Sequence, residues 1–130
     1  MREVLVWPNV ERELRFWLVA HLDVGRAVYS ETTTKVPPRY VTVERAGGRG
    51  DGPLDKLVAV EIGVHTDGTR DDMWDLARDV ESAMAALAAN GTPGMYVDEV
   101  EETFSFASDP PPDQSRRRAI ATYTLTVRPR

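Results

Sequence analysis

The segment "GGRGDG" at residues 47–52 has the glycines and charges from which phosphate-binding loops and adhesion signals are made. A phosphate-binding loop needs a strand, then the glycines, then a helix whose amide end faces the phosphate. Here the glycines lie between two predicted strands, and no Gly-Lys-Ser/Thr ending follows. An adhesion signal would need an extracellular protein, which neither a signal peptide nor a cysteine framework indicates. The pattern therefore predicts an exposed hairpin tip that carries Arg49 and Asp51.

No other group of side chains predicts a catalytic or metal site. The acidic segment "DGTRDD" at 67–72 lacks the spacing of a calcium loop. It is typical of a helix start, where carboxylates face the exposed amide groups. His21 and His65 have no partner at ligand spacing, and the sequence has no cysteine and no G-x-S-x-G signature. We therefore expect packed or surface histidines, no metal, no cofactor and no enzymatic activity.

One basic cluster, residues 116–118, ends the segment "DPPPDQSR", which also carries Asp113. Such a cluster can contact nucleic-acid phosphates, or acids such as "DEVEE" at 98–102 of a neighbouring copy. Acidic residues outnumber basic ones by 21 to 16, which gives a net charge of −5 and favours the protein contact. A solvated strand entrance without a specific role is an equally good interpretation.

Two amphipathic helices and five strands are predicted to position these segments. Asn9 can cap the first helix, and Thr69 can cap the second, at 69–89. Alternating apolar residues predict the strands "RAVYSE", "RYVTVER", "KLVAVEIGVH", "MYVDEVEETFSFAS", in which Phe104 and Phe106 face the same way, and "RRAIATYTLTVR". The predicted fold class is α+β, in the order α-β-β-β-α-β-β, with both helices packed on a mixed, mainly antiparallel sheet.

Connectivity adds a geometric prediction. The strands at 56–65 and 95–106 flank the second helix, so they should be parallel if they share a sheet. The inner strand at 56–65 is apolar on both sides until Glu61, as expected for an inner strand partly covered by helices. The hairpin loops at 46–55 and 108–116 then project from opposite ends of the sheet, and they offer two contact surfaces.

The length and the N-terminal residues limit the organisation of the chain. A chain of 130 residues predicts a single domain, 1–130, with one hydrophobic core. The segment "MREVLVWPNVERELRFWLVAHL" is charged throughout. We therefore expect neither a signal peptide nor a membrane-spanning helix, no membrane partner, and synthesis in the cytosol.

The order of these segments resembles the tail terminator proteins of long-tailed bacteriophages, especially of actinobacterial hosts, also called minor tail or tail-completion proteins. The first half has "RFWLVAHL", a proline-bearing loop and then "YVTVERAGG". The second half has "VAVEIGVHTDGTRDDMWDLARDVESAMAAL", then "DPPPDQSRRR" and the closing "TLTVR". Each motif is short, and their order and spacing over nearly the whole chain carry the resemblance.

The resemblance implies a structural virion protein that forms a homo-oligomeric ring, typically a hexamer. Such a ring covers the head-proximal end of the tail tube, stops tube polymerisation, and presents a surface to head-completion or connector proteins. It implies a place in the virion after assembly in the host cytoplasm, without a specific nucleic-acid partner. The family fixes no role for the loop side chains. Their exposure and charge predict interface roles for Arg49, Asp51, Asp113, Arg116 and Arg117.

Three other functions fit the same sequence. A head-tail connector or another neck protein of related fold would also form a ring. A small cytosolic ligand-binding α+β domain would need an apolar concavity. A nucleic-acid binder would lose affinity steeply with added salt.

Overall fold

The computed structural model of the protein describes residues 6–31, 35–50, 54–111 and 116–129. Over these ranges the elements follow the predicted order, which confirms the α+β fold class. They are α1 (Val10–His21), β1 (Val28–Tyr29), β2 (Arg39–Gly50), β3 (Lys56–Thr66), α2 (Arg70–Asn90), β4 (Tyr96–Ser108) and β5 (Arg117–Arg128).

The five strands form one sheet in the order β1-β2-β3-β5-β4. β1 is parallel to β2, whereas the β2–β3, β3–β5 and β4–β5 pairs are antiparallel. Because β3 and β4 are both antiparallel to β5, they are parallel to each other, as predicted, although β5 lies between them. The β2–β3 and β4–β5 hairpins consequently turn at opposite ends of the sheet.

Local signals explain where the helices begin. The Asn9 side chain accepts a hydrogen bond of 3.2 Å from the Arg12 amide and caps α1. Thr69 and Asp72 form a capping box at the start of α2, since each side chain accepts from the other residue's backbone amide. α2 ends at Gly91, whose φ of 63° is easily adopted only by glycine.

The core lies between the two helices and one face of the sheet. Trp17 of α1 joins the helices, because its indole Nε1 donates a 2.8 Å hydrogen bond to the Ala83 carbonyl of α2. Burial alternates along β5, and the valines and isoleucine of β3 at alternate positions are fully buried. The buried face comprises Val41, Val43, Val58, Val60, Ile62, Val64, Ala119, Ala121, Tyr123, Leu125 and Val127.

The other sheet face is largely open, so the helices cover β3 on one face only. Thr42, Thr122 and Thr124 lie on this face and are only half-buried, and Glu61 is exposed. The apolar Leu57 and Ala59, which suggested helix cover, are also half-buried. They pair with the side chains of adjacent strands.

The glycine-rich segment is a strand in the structure, which corrects the prediction of a long hairpin tip. β2 continues to Gly50, and its register places Gly47 opposite Ala59 and Arg49 opposite Leu57. A register shift between Arg45 and Gly47 accommodates the extra residue. Glycine disfavours strands only weakly, and the facing apolar strand β3 supplies the pairing that the composition did not predict.

β4 also departs from simple alternation. Its register against β5 shifts between Val97 and Glu99, between Glu102 and Phe104, and between Phe104 and Ala107. As a result Phe106 is buried in the core, whereas Phe104 is 69% exposed. The prediction that these two rings face the same way was therefore wrong.

Candidate interaction surfaces

The structure separates the side chains that the sequence predicted as interface residues. Arg49 lies near the end of β2, on a strand and not in a loop. Arg116 precedes β5, and Arg117 is the first residue of that strand, at the opposite end of the sheet. Asp51 and Asp113 lie outside the described residues. The two predicted groups thus occupy opposite ends, although only Arg116 of the described members is outside a strand.

Four arginines converge where α2 begins and β5 begins. Arg70, Arg116, Arg117 and Arg118 line a cavity of about 410 Å³. We call this group the arginine end. The sequence predicted three of its members from their adjacency, but Arg70 joins them only through the fold, since α2 brings it beside the end of β4.

The arginine end is held mainly by carbonyl oxygens. The Arg116 Nη1 atom donates to the carbonyls of Pro37 and Pro38 at 3.3 and 3.2 Å, and its guanidinium lies over the Tyr40 ring. The Arg117 Nε donates to the Gly68 carbonyl at 3.3 Å. These contacts orient the guanidinium groups without neutralising them.

One member of the arginine end has an acidic partner. The Arg118 Nη2 atom lies 3.1 Å from the Asp109 Oδ2 atom. Among the described residues, no ion pair includes Arg70, Arg116 or Arg117. The arrangement therefore leaves a positive surface with ordered donors, which suits the carboxylates or phosphates of a partner.

The positive charge of the arginine end affects the pKa of His65, which lies beside it. His65 stacks on Tyr40 with ring centroids 4.3 Å apart, and its Nε2 atom lies 3.0 Å from the Thr42 hydroxyl. Burial, reinforced by the charges of Arg118 and Arg116, lowers its pKa to about 4. His65 is therefore neutral at pH 7 and is a packed side chain, as the sequence indicated.

The long strands nearest the two edges of the sheet, β2 and β4, carry opposite charges. Residues 44–50 of β2, which we call the hairpin edge, are exposed and include Arg45 and Arg49. On the far side of the sheet, β4 exposes Glu99, Glu101 and Glu102, which we call the acidic edge. From the sequence, we interpreted these acids as a solvated face or as the counterpart of a basic cluster. In the structure they lie on an edge strand.

The acidic edge continues onto α2. Burial, followed by the charge of Glu102, raises the pKa of Glu81. Burial and the charges of Glu102 and Glu81 raise the pKa of Tyr123, whose buried hydroxyl has no hydrogen-bond partner among the described residues. Negative charge is thus concentrated beside β4, and the opposing charge of Arg78 offsets only part of the rise in the pKa of Glu81.

An apolar groove lies beside α1, and sequence reasoning missed it. It has a volume of about 540 Å³ between the helix and the turn at 91–94. Phe16, 60% exposed, and Trp17 supply its apolar wall. Glu13 at its base accepts a 3.2 Å hydrogen bond from the Thr92 hydroxyl. A ligand-binding domain would need a groove of this kind. In the sequence, only the position of Phe16 in the predicted first helix could have indicated it.

The described ranges hold neither a membrane-spanning helix nor a metal-binding cluster. Neither helix there is long and apolar enough to cross a membrane. Within the same ranges, no group of three or more His, Cys, Asp or Glu side chains is arranged to hold a metal ion.

Comparison with known proteins gives a structural likeness. No protein-family model matches the sequence, and a search of curated proteins finds no match. Among solved structures, the chain is similar to one from the "Virion of native gene transfer agent (GTA) particle". The TM-score is 0.56 at 19% identity, and the match covers 85% of this chain and 84% of the other. At this identity the likeness shows a shared fold.

Proposed function

We propose that this protein is a structural virion protein that caps the head-proximal end of a phage tail tube as a ring. The observation that carries the proposal is the likeness to a virion chain along most of the length of both chains. The ring would cover the surface on which the next tube subunits stack, and this stops polymerisation without a chemical step. Its other rim would receive the head-completion proteins.

The distribution of surfaces supports this role. A cap between a tube and a head needs contacts at two opposite ends, and the two hairpins turn at opposite ends of the sheet. The arginine end lies at one end of the sheet, and the last residues of β2 and the first of β3 lie at the other. Ordered but uncompensated guanidinium groups favour an acidic protein surface as the partner at the first end.

The test is deletion of the gene from the phage that encodes the chain, followed by measurement of tail length in electron micrographs. Overlong tubes, or completed tails that fail to join heads, are the expected result, and both should revert on complementation with the intact gene. Tails of normal length, together with heads that are filled but then lose their DNA, would indicate a head-tail connector. Normal virions would overturn a structural role at the neck.

A further inference from the structure

The sheet has two open edges, and they differ in chemistry. β1 pairs with β2 only at Val41 and Thr42, so the hairpin edge has no strand beside it among the described residues. β4 is the last strand of the sheet, and its outer side is likewise open. Exposed edges present unpaired backbone groups that favour pairing with another chain.

The registers of the sheet place the opposite charges of the two edges at equal heights. Arg49 pairs with Leu57, Leu57 pairs with Thr126, and Thr126 pairs with Glu99. Arg49 and Glu99 therefore lie at the same level on opposite edges of one sheet. Because directly paired residues share a sheet face, both side chains lie on the open face.

A second pair follows the same rule on the other face. Arg45 pairs with Val60, Val60 pairs with Tyr123, and Tyr123 pairs with Glu102. Arg45 and Glu102 therefore share a level as well. No ion pair among the described residues includes any of these four side chains.

We propose that the acidic edge of one copy lies against the hairpin edge of the next copy, with Glu99 facing Arg49 and Glu102 facing Arg45. This seam deepens the proposed function, on which it rests, by naming the contact that builds the ring. β2 is antiparallel to β3, and β3 is parallel to β4, so the two edges meet as antiparallel strands. A contact between different surfaces of identical subunits is head-to-tail, which closes into a ring when the rotation allows.

The seam also explains the charge beside β4. An arginine of the neighbour at Glu102 would offset the repulsion between Glu102 and Glu81. All copies in such a ring point the same way. The arginine end of each copy then lies on one rim, and the last residues of β2 lie on the other.

Backbone pairing in this seam is short. β4 keeps a regular register against β5 only from Glu99 to Glu102 between its shifts. In β2, the Arg45 amide donates a 2.7 Å hydrogen bond to the Glu11 carboxylate of α1, so it is not free for a ladder. Charge pairing rather than a long ladder carries the contact, and the seam should therefore weaken with salt.

Charge exchange tests the seam. Arg45→Glu with Arg49→Glu reverses one edge, and Glu99→Arg with Glu102→Arg reverses the other. Each double variant should weaken self-association by about tenfold or more, because like charges then meet. The chain with all four substitutions restores opposite charges and should associate to within about threefold of the wild type. Sedimentation over a concentration series measures this, and circular dichroism checks the fold.

The matched control is Arg117→Glu, which reverses an exposed arginine that lies on neither edge. This variant should associate like the wild type. Unchanged association in both double variants, or failure of the fourfold variant to recover, would overturn the seam. A wild-type chain that stays monomeric throughout the series would overturn it as a self-sufficient contact.

Cross-linking separates the seam from the proposed function. The chain has no cysteine, so Arg49→Cys and Glu99→Cys introduce the only thiols. Mixing the two single variants under oxidation should give a disulfide-linked dimer, whereas Arg78→Cys mixed with Glu99→Cys should not. Multimers that form without this cross-link would disprove the seam but would not contradict the proposed function. The cross-link, together with normal tails in the deletion phage, would disprove the proposed function but support the seam.

Discussion

His65 shows how one residue acquires properties that its place in the sequence does not indicate. Its strand was predicted, but the Tyr40 ring and the Thr42 hydroxyl that enclose it come from β2, and Arg118 comes from β5. Burial, reinforced by the charges of Arg118 and Arg116, lowers its pKa to about 4. The folded state therefore binds the His65 proton less readily than the unfolded state does.

This pKa predicts an acid-sensitive fold. A lowered folded-state pKa contributes stability that is complete above the ordinary value of 6.5, and that falls as the pH drops toward about 4. The full effect of a shift from 6.5 to about 4 corresponds to about 3 kcal/mol of unfolding free energy. Urea unfolding at pH 7 and pH 4.5 should show most of this loss, about 2 kcal/mol, in the wild type.

The comparison variant is His65→Phe, which retains an aromatic ring against Tyr40 but cannot titrate. Carboxylates titrate in both proteins, so the difference between the two pH slopes isolates the histidine. The variant should lose less stability than the wild type between pH 6.5 and pH 4.5. Identical slopes would mean that His65 has no lowered pKa.

At the scale of elements, the periodic patterns predicted the helices and strands because burial on one face repeats at 3.6 or 2 residues. The Asn9 and Thr69 caps were also predicted, since capping is local. The extension of β2 through Gly50 and the shifts in β4 were not predicted. Both depend on pairing with strands distant in sequence, which a local pattern cannot contain.

The same limit applied to the candidate interaction surfaces. Charge and exposure located the clusters at 98–102 and 116–118, but the sequence did not show that β5 lies between β3 and β4. This strand order makes β4 an edge strand and places its acids level with the arginines of β2. The pairing order of the sheet, a property of the whole chain, defines the two edges.

The hairpin itself offers a prediction with a control in the same strand. A Cβ added at Gly48 would collide with the Leu57 carbonyl oxygen, whereas one added at Gly50 would meet nothing within 4 Å. Gly48→Ala should lower the free energy of unfolding by about 1–3 kcal/mol, and Gly50→Ala should change it by less than about 0.5 kcal/mol.

Amide exchange checks where the Gly48 effect is located. The backbone amides of Leu57 and Val58 should exchange faster in Gly48→Ala than in Gly50→Ala, because Gly48 pairs with Val58. Equal exchange and equal stability in the two variants would show that the end of β2 is not paired as a strand in solution.

At the scale of the whole molecule, side contacts and end contacts use different residues. The hairpin and acidic edges lie along the two sides of the sheet, whereas the arginine end lies at one of its two ends. A reversal of charge at one site should therefore leave the other function intact. This separation makes the roles of the two surfaces independently testable.

Arg117 is the appropriate residue at the arginine end, because it is exposed and its single described hydrogen bond goes to the Gly68 carbonyl. Arg116 is less suitable, since it also packs over Tyr40. Arg117→Glu should leave self-association unchanged but weaken by about tenfold the joining of tails to heads or of rings to tubes, in an infectivity complementation assay. Arg78→Glu is the control and should complement fully. If Arg117→Glu complements as well as the wild type, the arginine end is not a partner surface, and its guanidinium groups serve only to hold the 37–38 turn and the start of α2 in place.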